Sequence, residues 1–252
     1  FDLDEFFNLK KTEMKENSVT TEPVAPLNEI AKTVRDSIKL KPKELEMEEL
    51  KWRTLVHDIL TGKNIMMTGP SGTGKTFAVQ CAAKAFEEGR PYFYFNLGAS
   101  QDPRTFLIGN TQFNKEDGTY FNRSAFINAI TTPISIILMY EFFRAHPDAW
   151  NILMTVLDTN QRYVRIDEAD NTPTIKVAEG VCFMATANIG NEYTATRVMD
   201  HALTERFEIM EMEPLSKDGE MNVIKRAFPE LDKKIIKSIA EIADNTRSIV
   251  KN

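Results

Sequence analysis

The sequence predicts an α/β fold, a parallel sheet held between two layers of helices. Three observations point to it. Short apolar runs recur at residues 64–68 (Asn-Ile-Met-Met-Thr), 134–139 and 181–187. Each is of strand length and apolar on both faces, the profile of a strand buried in a parallel sheet. Segments with helical spacing lie between these runs, and strand–helix alternation is the pattern of a parallel sheet covered on both sides. Finally, the first run leads into a glycine-rich stretch, Gly-Pro-Ser-Gly-Thr-Gly-Lys-Thr at residues 69–76, and then into a helical pattern rich in alanine.

The elements follow in order. Leu27, Ile30, Val34 and Ile38 mark an amphipathic helix that ends before Pro42, and Leu50, Leu55, Val56, Ile59 and Leu60 mark a second. Residues 91–96 (Pro-Tyr-Phe-Tyr-Phe-Asn) are aromatic and β-prone. Asp102-Pro103 opens a short helix through Ile108. Residues 111–121 alternate around Glu116-Asp117-Gly118, which predicts a hairpin turning at Asp-Gly. Residues 124–130 are helical, and residues 147–157 form a helix with proline near its start. Residues 163–166 and 174–177 flank an acidic turn, a second hairpin. Residues 208–212 are the last strand, and residues 217–228 and 232–245 are helical. The predicted organisation is a leader or docking segment at residues 1–26, an α/β core at 27–214, and the start of a C-terminal helical lid at 215–252.

Composition narrows the class. The chain has 252 residues, enough for one large domain or one domain plus a small one. Hydrophobic residues make up 42% and charged residues 27%, as in ordinary globular chains. The net charge of −6 gives no bulk support to nucleic-acid binding, although a local basic pore stays open. No stretch approaches the length of a membrane span, so no membrane partner is expected. The chain opens at Phe1 with no secretory pattern, which implies residues upstream. Cys81 and Cys182 lie in apolar runs and read as buried thiols, which suits a reducing, cytoplasmic compartment. Phe1, Leu3, Phe6, Phe7 and Leu9 form an apolar cluster in the leader that either docks on a neighbouring subunit or partner or stays solvated. His57, His146 and His201 are scattered and suggest no metal site. No Ser, Cys and His spacing suggests a nucleophilic triad.

The glycine-rich stretch carries the chemistry. Gly69 and Gly74 let the backbone wrap an anion without a Cβ in the way. The backbone N–H groups from Gly69 through Pro70, Ser71, Gly72, Thr73 and Gly74 to Phe77 form an anion nest, save at proline. Lys75 brings a positive charge to the β- and γ-phosphates, and the Thr76 hydroxyl suits Mg²⁺, which prefers oxygen. The four fixed positions match by accident in roughly one chain of this length in a hundred. The strand before and the helix after lower that further. Such a loop also needs a carboxylate at a neighbouring strand end. Here the run at 136–139 ends in Tyr140-Glu141, and the run at 181–187 ends in Asn188.

With these parts in this order, the chain resembles the AAA+ ATPases, in particular the branch of the MoxR, CbbQ/NorQ, CobS, midasin and McrB-like proteins. The segments that carry the resemblance are Arg-Ala-His-Pro-Asp-Ala-Trp at residues 144–150, the two hairpins, Ala-Thr-Ala-Asn at 185–188, and the run at 200–207 ending in Arg206-Phe207. It covers about residues 45–250. The resemblance implies that residues 69–77 and Thr76 hold ATP and Mg²⁺, and that Glu141 polarises the attacking water and touches the Mg²⁺ through water. It implies that Asn188 senses the γ-phosphate and that Arg206 reaches the nucleotide of the adjacent subunit, with Arg197 as a rival. Such a site requires a ring of identical subunits, usually a hexamer. Members of the branch often work with a partner carrying a von Willebrand A domain. The family's second-sensor arginine is expected beyond Asn252, with Arg247 as a substitute.

One position departs from the pattern. The family has Asp where this chain has Tyr140, and polar residues near Phe142 and Phe143. Tyrosine is neutral at pH 7 and cannot offset Mg²⁺ charge as a carboxylate does. Binding is therefore better supported than hydrolysis. The leading expectation is a ring-forming ATPase that remodels or loads a macromolecular, chiefly protein, partner. The alternatives are a nucleotide-binding assembly subunit with weak hydrolysis, and a nucleic-acid motor whose hairpins line a pore. Asn114-Lys115-Glu116-Asp117 spells a guanine-reading motif but lies in a hairpin turn. ATP is the expected nucleotide, and GTP, used by McrB-like members, stays open.

Overall fold

The computed structural model describes residues 27–86, 88–115, 118–166, 174–188 and 201–250. The leader at residues 1–26, with its docking expectation, and Arg197 lie outside the described residues.

The predicted α/β class is what the chain adopts. Five strands form a wholly parallel sheet: β1 (Ile65–Gly69), β2 (Tyr92–Asn96), β5 (Ile136–Tyr140), β8 (Cys182–Asn188) and β9 (Glu208–Glu211). Their spatial order is β2-β5-β8-β1-β9. The chain thus runs outward on one side of β1 and returns to β9 on the other, which leaves a crevice at the strands' C-terminal ends. Two hairpins stand apart from this sheet. One pairs β3 (Gly109–Asn114) with β4 (Gly118–Arg123), and the other pairs β6 (Tyr163–Arg165) with β7 (Thr174–Lys176).

Period-2 alternation within each buried strand feeds two cores. On one face, Ile65, Met67, Ile136, Leu138, Cys182 and Met184 pack beneath two helices, α2 (Glu49–Thr61) and α3 (Lys75–Ala85). Trp52 of α2 is fully buried, and its indole donates to the Ser37 carbonyl at 2.9 Å. That bond ties α2 to the turn following α1 (Leu27–Asp36). On the other face, Met66, Ile137, Met139, Phe183 and Ala185 pack on α4 (Pro103–Leu107), α5 (Ala125–Thr131) and α6 (Pro147–Leu157). These helices start where their caps dictate. The carboxylate of Asp102 accepts from Thr105 N, the Ser124 hydroxyl accepts from Ile127 N, and Pro147 opens α6 behind His146.

The lower rim, opposite the crevice, is tied by two arginines that bond backbone carbonyls. Arg90 donates to Ile134 O and Gly180 O at 3.1 and 3.2 Å. Arg162 donates to Gly62 O at 2.6 Å. Both lie beside Cys182, whose complete burial pushes its thiol up to about 12. Cys81 is buried too, and both thiols are free, as the apolar runs around them predict.

After the short α7 (His201–Thr204) and β9, the chain forms α8 (Lys217–Ala227) and α9 (Lys233–Val250). They pair through Lys217 and Glu241 at 2.6 Å, and Arg226 reaches back to Glu46 at 2.5 Å. Among the described residues no helix is long and apolar enough to cross a membrane.

Candidate nucleotide site

The sheet carries the predicted residues Tyr140, Asn188 and Gly69 to its C-terminal edge, at the ends of β5, β8 and β1. Asn96 pairs with Tyr140, and Asn188 pairs with Gly69. One residue past the Met139–Ala185 pair, Tyr140 is level with Thr186, so Asn188 and Gly69 stand two residues further along the sheet than Asn96 and Tyr140. The sequence could not supply this adjacency, since these residues lie tens of positions apart.

Gly69 is fixed by a close approach as well as by its backbone. Its φ is +137°, and a Cβ there meets the Met212 carbonyl oxygen at 2.2 Å. Only glycine fits between β1 and the chain that leaves β9. Past the loop, α3 begins at Lys75. The Lys75 side chain folds back and donates to Gly69 O at 2.9 Å and Pro70 O at 2.6 Å. It is 6% exposed, and burial lowers its pKa from the usual lysine value. Thr73 donates from its hydroxyl to Pro70 O at 3.0 Å and tightens the loop. Thr76 is half-buried in the first turn of α3.

Above the loop lies a cavity of about 500 Å³. Residues 70–74 and Phe77 form its floor, and residues 44–46 form one wall. Leu215, Glu220 and Arg247 form another, from the segment after β9 and from α8 and α9. Arg247, named from the sequence only as a substitute, therefore faces the loop from the helical side. A second cavity of about 610 Å³ shares Glu46, Thr73 and Arg247 and extends over Glu48 and Glu213.

At the end of β5, Glu141 adopts a left-handed backbone, φ 54° and ψ 43°. That conformation is costly for a non-glycine residue, and such outliers cluster at functional sites. Its carboxylate accepts from Arg144 Nη1 at 3.0 Å. It also lies against Gly98, where a Cβ falls 2.6 Å from Glu141 Oε2. Gly98 carried no signal in the sequence, because only the fold brings the turn after β2 to the turn after β5. Tyr140 stacks on Tyr94, with ring centroids 5.9 Å apart. Phe142 is fully buried and meets the Phe207 ring edge-on at 5.4 Å. The apolar residues after Glu141 thus serve the core.

Arg206 sits apart from the loop. Its Nε donates to Met154 O at 3.0 Å, its Nη2 pairs with Asp158 at 3.0 Å, and its Nη1 bonds Ala202 O. It lines a separate surface cavity with Asp158, Asn160 and Lys63. Within this chain it does not meet Lys75, Glu141 or Asn188.

Among the described residues no group of three or more His, Cys, Asp or Glu side chains is arranged to hold a metal ion. Mg²⁺ at such a loop takes most of its oxygens from phosphates and water, with one or two from protein. The Thr76 hydroxyl and the Glu141 carboxylate are oxygens of the kind Mg²⁺ takes, while Tyr140 adds no carboxylate.

A glycine loop between a parallel strand and a helix, at the switch in strand order, defines a phosphate-loop α/β protein. The profile of the AAA domain (dynein-related subfamily) matches residues 64–207, and the chain belongs to this family. A Thauera aromatica protein named as a candidate chaperone, BssE, is 34% identical over 165 residues, or 65% of this chain and 54% of that protein. An uncharacterized protein of Staphylococcus saprophyticus is 26% identical over 192 residues, 75% of this chain and 70% of that one. A crystal structure of a candidate ATPase from Cytophaga hutchinsonii shares the fold, with a TM-score of 0.55 and 20% identity over 93% of this chain and 66% of that one. The chain spans about half the length of the Thauera aromatica relative.

Proposed function

We propose that this chain binds ATP with Mg²⁺ in the cavity over residues 69–77 and acts as one subunit of a ring-forming, hexameric ATPase of the MoxR-like branch. The observation that carries the reading is the cavity itself. It sets the loop, the start of α3 and Arg247 around one space. A glycine loop at a helix start with the Arg247 guanidinium across one cavity suits a triphosphate. Arg247 on the cavity wall would hold phosphate charge, as would Lys75 on leaving Gly69 O and Pro70 O, and Asn188, beside Gly69, would orient a γ-phosphate oxygen or the attacking water. Glu141 takes the proton of that water. Thr76 and Glu141 are the residues that would hold Mg²⁺, which would supply charge neutralisation at the phosphates.

Arg206 is the candidate finger toward a neighbouring subunit, with Arg197 as its rival. Its guanidinium is bonded to Asp158, Met154 O and Ala202 O, so these bonds must open before it reaches a neighbouring nucleotide. Residues 27–214 act as the core and 215–252 as part of the lid. The work done on a partner is remodelling or loading of a protein, in the cytoplasm, with a von Willebrand A domain protein as the candidate partner. The chaperone name of the Thauera aromatica relative supports that direction. ATP turnover measured beside native mass, with and without nucleotide, tests the reading. A monomer in both states with no turnover refutes the ring ATPase.

A second reading is favoured by Tyr140. Here bound ATP stabilises an assembly and hydrolysis is slow. In that case the mass rises with ATP while turnover stays at background, and a non-hydrolysable analogue assembles the protein as well as ATP does.

A further inference from the structure

The nucleotide reading gives Arg247 a role and leaves its ion-pair partner Glu220 without one. Glu220 on α8 and Arg247 on α9 both face the cavity over the loop. Arg247 Nη1 donates to Glu220 Oε1. Arg247 Nη2 lies 3.8 Å from Asp244 Oδ1, and neither it nor Glu220 Oε2, both buried, has a hydrogen-bond partner. The pair is therefore joined by one bond, where a guanidinium and a carboxylate can form two. Both terminal nitrogens of Arg247 face carboxylates of its own helical wall.

We infer that Glu220 is an internal competitor for nucleotide phosphate, so that the Glu220–Arg247 pair must open for Arg247 to bind the nucleotide, and Glu220 thereby holds affinity down. The inference rests on the reading of this cavity as a nucleotide site. Carboxylate and phosphate oxygens offer the same guanidinium the same kind of acceptor, so they compete for it. The other acidic wall residue near the lid, Glu46, already has Arg226 at 2.5 Å. Arg247 is thus the cation left for phosphate on the α8–α9 wall of this cavity. Its side chain is 31% exposed and that of Glu220 is 18% exposed, so the pair is exchangeable.

The test is direct binding of a fluorescent ATP analogue with Mg²⁺ to the full chain. Glu220→Gln is expected to tighten binding by about fivefold, and Glu44→Gln, on the same cavity, by less than about twofold. Arg247→Gln weakens binding, and Glu220→Gln added to it recovers nothing. Weaker or unchanged binding in Glu220→Gln overturns the inference, because Glu220 then orients Arg247 or does not affect it. A gain that persists beside Arg247→Gln also overturns it, because the effect is then general repulsion. Lys75→Ala separates the two levels. If it leaves binding intact, the reading of the cavity fails. If it abolishes binding while Glu220→Gln changes nothing, only the competition fails. Thermal melting of each variant confirms that the fold is kept.

Discussion

The ends of β1 and β5 lie two strands apart in the sheet and differ in kind. At β1 the sequence pattern and the geometry agree: Gly69 fits under Met212, Lys75 folds onto the loop, and a cavity opens above. At β5 the strand end carries a carboxylate, Glu141, beside Tyr140 where the resemblance implies Asp. Glu141 stands on a strained turn beside a stacked tyrosine pair, and its carboxylate is engaged by Arg144. On the proposed function, the difference separates holding a triphosphate from cleaving it and assigns them to different strands. One can be complete while the other is altered.

The largest expected effect tests the β1 side. Lys75→Ala should weaken ATP binding by about a hundredfold, the worth of a strong charge-assisted contact. Calorimetry with and without Mg²⁺ reads it, and an unchanged affinity breaks the comparison at its firmer end. Next comes Tyr140→Asp, which should raise ATP turnover on the order of tenfold while affinity moves little. Equal turnover in both proteins means that the end of β5 is not what limits hydrolysis. Gly98→Ala is a subtler probe. The added Cβ must displace the Glu141 carboxylate, so turnover should fall by about threefold with affinity kept, since a misplaced base loses rate before binding. A loss of affinity instead places Gly98 on the β1 side.

A pH series sharpens the same contrast. Burial lowers the Lys75 pKa, and the charged form is the one that attracts phosphate. Affinity should therefore decline as pH rises through a range that begins below the ordinary lysine value of 10.5. An affinity that holds up to that value contradicts the buried environment. The smallest effect concerns the thiols. Cys182 is fully buried with its pKa near 12, and Cys81 is buried too, so a thiol reagent should label neither at neutral pH until the chain is unfolded. Fast labelling of one thiol in the native protein removes this expectation.

Much of the fold could be read in advance, for a physical reason. Strands buried on both faces must be apolar throughout, and helix starts are written locally in Asp102, Ser124 and Pro147. The loop at residues 69–76 is likewise local, because consecutive residues build the whole nest. What the sequence hid was long-range. Gly98 matters through a contact across two strand ends, and Glu220 through a partner 27 residues away. Arg247, named from the sequence as a substitute for a second-sensor arginine beyond Asn252, lies on the cavity wall, where α9 carries it. Phe142 and Phe143 departed from the polar pattern, and burial explains both, since Phe142 closes on Phe207 and Phe143 packs on the same core.

The outer strand β9 has a consequence for how such a chain behaves in a crowd. It is four residues long, lies at the sheet's edge and carries exposed glutamates at both ends, Glu208 and Glu211. An edge of that kind offers a stray β-segment few free backbone groups and two like charges that must lose water. Growth of the sheet by strand addition is disfavoured there, so β9 guards the chain against aggregation at the edge next to its phosphate loop.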